Sequence, residues 1–176
     1  MYILSQILII LSDIFCIISM MSKNKKGLIF YLLLSTILFA THYMCLGGWT
    51  GACIGLLELV FLIIMYVLEI NGKTKYNPYL SVATIILTIA LSIVTWDGWI
   101  SLLPMLAMIT YLTTMMFSNV IIVKSGTFVR LTLNGIYMLL LKSYFGAGLT
   151  VVILICTIVG IVQDYKIKRN DNLQQN

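Results

Sequence analysis

Four titratable side chains stand inside strongly apolar sequence: Asp13, His42, Glu58 and Arg130. Each has a chemistry that matters in such surroundings. A carboxylate can carry a proton or hold a cationic group, an imidazole can do either near neutral pH, and a guanidinium pairs with carboxylates. In lipid such groups must be neutralised, paired or hydrated, and they face a bundle interior. Asp13 and Glu58 fall near the middle of their apolar runs and either line a polar cavity or bond a neighbouring helix. Arg130 either snorkels to an interface or pairs with an acid. No second carboxylate stands at a spacing suited to paired acid–base catalysis. The single histidine and the cysteines Cys16, Cys45, Cys53 and Cys156 form no CxxC or other recognisable metal set. No Ser–His–Asp texture or phosphate loop is present. The expectation is a protein without catalytic residues, metal or cofactor, and so not an enzyme.

The densest polar stretch is "HYMCLGGWTGACIGLLEL", His42 to Leu59. Gly47, Gly51 and Gly55 recur every four residues, a small-residue ladder that lets helices approach closely. With only a two-residue turn before Trp49, the flanking helices form a tight hairpin. His42 and Trp49 are expected at the outer mouth of a central cavity and Glu58 at its floor. Asn134, Tyr137 and Tyr144 are the counterparts from the second half of the chain.

The elements that hold these residues follow from composition. The chain has 176 residues, of which 61% are hydrophobic and 10% charged. A soluble domain carries about 25% charged residues, so this is expected to be an all-α integral membrane protein and one membrane domain over 1–176. A bilayer tolerates helices or closed barrels, and the period-two alternation of a barrel is absent. Seven spans are predicted, at 2–21, 27–46, 49–70, 79–95, 99–117, 127–141 and 147–162. Pro104 would interrupt the fifth, either as a hinge or as a kink near the N-terminal end of that helix.

The net charge is +5. Basic residues lie in the connections and the tail, not in a stripe with interleaved aromatics, so nucleic acid is not an expected partner. With the N-terminus outside and the C-terminus in the cytoplasm, ten of the eleven Lys and Arg fall inside and Lys142 and Asp97 fall outside, in keeping with the positive-inside rule. The tail 166–176 is expected to be a basic interfacial anchor followed by disordered residues.

A shift of 95 positions lays the chain on itself. Met20 and Met21 meet Met115 and Met116, Asn24 meets Asn119, Trp49 meets Tyr144, and Glu69 meets Asp164. The chain therefore reads as two parallel three-helix repeats, about 1–71 and 98–165, joined by a linker helix at about 79–95. Polar stripes recur within the halves: Ser5, Gln6, Ser12, Asp13 and Ser19 on the first helix, Thr150, Thr157 and Asp164 on the seventh.

The texture F-x-x-H-Y-x-x-L-G-x-x-x-G, formed by Phe39, His42, Tyr43, Leu46, Gly47 and Gly51, has an echo from Tyr137 to Gly146. In this, and over nearly its whole length, the chain resembles the bacterial YgjV-type inner-membrane family. The three-plus-one-plus-three order is similar to that of the SWEET sugar transporters and the PnuC vitamin-uptake proteins. The Pro-Gln pair of the SWEET proteins is absent. The resemblance implies an inner-membrane carrier for a small polar metabolite, such as a vitamin or nucleoside precursor, working by alternating access around a midplane site. The substrate-binding set would be Asp13, His42, Trp49, Glu58, Asn134, Tyr137 and Tyr144. A receptor or assembly factor on the same scaffold is the alternative. The remaining expected partner is the lipid bilayer; the protein acts either alone or as a homo-oligomer, and the lipid-facing surfaces leave both open.

Overall fold

A computed structural model describes residues 2–96 and 98–174; Asp97, placed outside by charge, lies beyond the described residues. Among these are seven α-helices: α1 (Tyr2–Met21), α2 (Lys25–Leu46), α3 (Trp49–Ile70), α4 (Asn77–Val94), α5 (Leu102–Met115), α6 (Val120–Leu140) and α7 (Tyr144–Gln174). Short 3-10 turns, Thr74–Tyr76 and Trp99–Ser101, lead into α4 and α5.

Helix starts and stops follow local chemistry. Asn24 and Asn119 occupy equivalent places before α2 and α6. Each has extended backbone, and each side chain accepts a backbone N–H of the first turn, from Gly27 and Ile121 respectively. These bonds satisfy donors that a helix start leaves open. Gly47 ends α2 in the left-handed region at φ 75°, and the Gly48 N–H returns to the Tyr43 carbonyl. Glycine is suited to this cap because a Cβ is strained there.

The structure departs from the sequence expectation most in three places. Helix α6 begins at Val120, not at 127, because Asn119 caps it and Lys124 is neutralised by an ion pair instead of facing water. Helix α7 runs on to Gln174, so the backbone of the tail as far as 174 is helical. At about 1.5 Å per residue its 31 residues span roughly 46 Å, well beyond a hydrocarbon core of about 30 Å. Pro104 does not interrupt a helix. It is the third residue of α5, in the first turn, where a missing N–H breaks no intrahelical bond.

Four stretches among the described residues are long and apolar enough to cross a membrane: Lys25–Leu46, Trp49–Ile70, Thr74–Val94 and Tyr144–Ile167. Ser5–Met21 and Trp99–Met115 are shorter apolar helices. Helices α1 and α2, α2 and α3, α5 and α6, and α6 and α7 lie side by side, while α1 also meets α7 and α3 meets α5. The serines of α1 make one seam. Ser12 Oγ donates to the Ser35 carbonyl at 3.0 Å and Ser19 Oγ to the Leu28 carbonyl at 2.8 Å, both on α2. Helix α4 has a buried row of its own, Ser81, Thr84, Thr88 and Ser92, and Thr84, Thr88 and Ser92 each donate to the carbonyl four residues back. This row sits in the span expected to be the linker helix.

Two apolar clusters fill the bundle. Met20, Phe61, Met65, Tyr111 and Met115 belong to the larger one, in the half that ends at Lys25 and Lys124. Ile9, Tyr43, Tyr137 and Met138 belong to the smaller one, in the half that carries Trp49, Trp96 and Trp99. These are called the lysine-rich and tryptophan-rich halves below.

Candidate functional site: a buried ion pair between two closures

Glu58 is the tenth of the 22 residues of α3 and Arg130 the eleventh of the 21 of α6, so both stand half-way along their helices. Arg130 Nη1 lies 2.6 Å from Glu58 Oε1, and both side chains are buried. Thr36 Oγ1 donates to the same carboxylate oxygen at 3.4 Å. The guanidinium also stacks over the Tyr111 ring, 4.6 Å from its centroid. Of the two alternatives for Arg130, the structure has the acid pair. Removing both ions from water costs several kcal/mol each, and only close geometry and further bonds offset it.

The pair borders a cavity of about 20 Å³, together with Phe39, Tyr43, Gly51, Pro104 and Asn134. Such a space holds about one water molecule. Towards the tryptophan-rich end the rings of Tyr43 and Tyr137 meet edge to face, centroids 5.5 Å apart. Gly51 lies beneath them. A Cβ there would come within 3.0 Å of Tyr137 and 3.1 Å of Tyr43, so this glycine gives the rings room to close. Beyond the rings is a vestibule of about 370 Å³, lined by Trp49, Thr50, Thr95, Trp96, Ser101 and Tyr137 among others. Gly55 acts elsewhere, bringing α3 against Ala40 of α2, where its Cβ would lie 3.1 Å from that of Ala40. The three ladder glycines thus serve as a cap, a ring seat and a helix contact.

Other candidate residues fall outside this arrangement. His42 does not line the mouth. Its Nδ1 lies 2.8 Å from Ser5 Oγ and 2.9 Å from the Ser5 carbonyl, on the α1 seam. Successive helical residues point about 100° apart, and Tyr43 takes the inward position. Tyr144 is 70% exposed and Trp49 66% exposed; both fit the aromatic belt of a bilayer interface, and Trp49 also edges the vestibule. Asp13 is buried on α1, and its Oδ2 has no hydrogen-bond partner among the described residues. It does not border the small cavity. No three His, Cys, Asp or Glu side chains come together as a metal site among the described residues, and the four cysteines are free thiols.

The lysine-rich end carries a second set of charges. Lys25 Nζ lies 3.0 Å from Glu69 Oε1 and donates to the carbonyls of Met115 and Phe117, where α5 ends, at 3.2 and 3.0 Å. Asn77 Nδ2 donates to the same Glu69 oxygen at 2.9 Å. On α6, Lys124 Nζ lies 2.6 Å from Asp164 Oδ2. A Cβ on Gly160 would sit 2.6 Å from the Met20 carbonyl oxygen and 3.6 Å from Lys124 Nζ, so the end of α1 and Lys124 share that glycine. Sequence reading put both lysines in loops. The signal for their burial was present in two acidic residues, Glu69 at the end of α3 and Asp164 within α7.

A bundle of apolar helices with its charges paired inside defines a helical integral membrane protein. The chain belongs to the Imp-YgjV family of bacterial inner membrane proteins, whose model matches residues 3–168. No curated protein and no solved structure matches the chain.

Proposed function

We propose that the protein is a small carrier that moves a polar metabolite across the bacterial inner membrane by alternating access. One observation carries this reading: a carboxylate from α3 and a guanidinium from α6 meet half-way along the bundle beside a small cavity. A charge pair held only for stability is a poor choice, since well-packed apolar side chains serve as well or better, whereas a midplane polar site between two helix groups is what a carrier needs.

In this reading all seven helices span, as two parallel triplets, α1–α3 and α5–α7, with α4 as linker. The matched caps Asn24 and Asn119, the aligned acids Glu69 and Asp164, each of which pairs with a lysine, and the reciprocal contacts α1 with α7 and α3 with α5 support it. The lysine-rich end faces the cytoplasm and the N-terminus faces outside. Burial of Lys25, Lys124 and Arg130 removes three charges from the topology argument, but Lys23, Lys26, Lys73, Lys75 and Lys166 remain on that side. The conformation is then closed to the cytoplasm, with a vestibule open outward as far as Tyr43 and Tyr137.

The test is uptake into proteoliposomes from a panel of amino acids, betaines, nucleosides, vitamins, sugars and polyamines. At least one solute is expected to enter with wild-type protein and not with Arg130→Met. If no panel member enters while the protein remains folded, the carrier reading fails. A receptor or assembly role is the second reading, and the helical extension of α7 beyond bilayer thickness favours it.

A further inference from the structure

We propose that the solute of the Glu58–Arg130 site is a small zwitterion, whose anionic group replaces Glu58 against Arg130 and whose cationic group replaces Arg130 against Glu58. The inference rests on the carrier reading above. It starts from what must happen when the triplets part. Glu58 belongs to α3 and Arg130 to α6, so opening a passage between them breaks the pair. Each ion then stands in a largely apolar wall, beside Phe39, Tyr43, Ile54 and Met108. An unpaired buried charge is strongly unfavourable.

The charge on an entering solute decides how this is relieved. A cation satisfies Glu58 and leaves Arg130 bare. An anion satisfies Arg130 and brings a second negative group beside Glu58, and a doubly charged anion such as a phosphate monoester is worse. A sugar or uncharged nucleoside supplies hydrogen bonds but no countercharge. Only a solute with both signs restores both pairs, and it leaves the total charge of the site unchanged. The closed state is then a self-paired form of the same site, in which the protein's two ions stand in for the ligand. Asn134 adds an amide at the cavity wall, and the apolar remainder suits an aliphatic or aromatic substituent. The vestibule of about 370 Å³ lies at the small end of ligand cavities.

The experiment uses full-length protein in detergent and in proteoliposomes. A panel of amino acids and betaines is screened by thermal shift and uptake. The best zwitterion is then compared with its decarboxylated amine, its deaminated acid and an uncharged analogue. Wild type is expected to take up the zwitterion and to bind each singly charged analogue at least about thirtyfold more weakly. Glu58→Gln is expected to shift preference towards the deaminated acid, and Arg130→Gln towards the amine. Because the ligand series is run on wild type, it stands even where a variant does not fold. An uncharged or singly charged solute moved as well as any zwitterion overturns the proposal and leaves the carrier reading intact. Unchanged preference in both folded variants overturns it too. If no solute of any charge class is taken up, the carrier reading falls and the proposal falls with it.

Discussion

The two ends of the bundle are closed by different means. At the lysine-rich end Lys25 holds one carboxylate and two carbonyls, and Lys124 holds a second carboxylate. At the other end two tyrosine rings meet over Gly51. An aromatic edge contact is worth about 0.5–1.5 kcal/mol beyond the area it buries. A buried lysine must keep its partners or find water. The ring closure can therefore part cheaply, and the lysine closure parts only when its charges are met in some other way. Between the two, the Glu58–Arg130 pair shares the charge of one closure and the enclosure of the other.

The largest effect expected from breaking this contrast is at the centre. Arg130→Met leaves Glu58 buried without its partner and is expected to cost roughly 3–5 kcal/mol. The double variant Glu58→Gln/Arg130→Met is expected to recover much of that loss. Denaturation midpoints of wild type, both single variants and the double variant in detergent check it, and a double-variant loss equal to the sum of the two single losses would show that the pair is not coupled. Next comes Gly160→Ala. The added Cβ meets the Met20 carbonyl, which is backbone and cannot turn aside, so about 1–3 kcal/mol is expected from the α1–α7 seam. The same unfolding measurement, set beside Gly148→Ala, where a Cβ meets open space, isolates the contact.

A smaller effect is expected at the closures themselves. Lys25→Met is expected to raise the reactivity of a cysteine placed at Thr127 towards a water-soluble maleimide, while Tyr137→Leu raises that of a cysteine at Asn134. If either substitution exposes both positions equally, the closures are not separate. The smallest is Ser81→Ala. Ser81 is fully buried and its hydroxyl has no partner among the described residues, so removing it is expected to leave stability within about 0.5 kcal/mol of wild type or to raise it slightly.

Periodicity and punctuation carried much of this molecule. The serines at 5, 12 and 19 mark a seam because seven residues are two helical turns, whereas Asn119, though aligned with Asn24, was not read as the start of α6, which was expected at 127. What was hidden is rotational. His42 and Tyr43 are neighbours, both polar-tipped and both fit for a helix interior, and only the neighbouring helices decide which one faces inward. The internal alignment places Tyr137 over His42, yet Tyr43 is the residue that meets it. The burial of Lys124 was hidden for another reason. A cation reads as solvated unless its partner is known, and Asp164 lies 40 residues away. The hydroxyls of α4 were legible at spacings of three and four residues, but an apolar average concealed them.

The length of α7 has a mechanical consequence. Its last turns stand clear of a bilayer-thick core as a continuation of the helix that contains Gly160 and Asp164. A rod joined without a break to a tight seam is a lever. A sideways load on its free end acts on the α1–α7 contact as a torque, and any tilt of α7 sweeps that end through an arc larger than the motion at the ion pair.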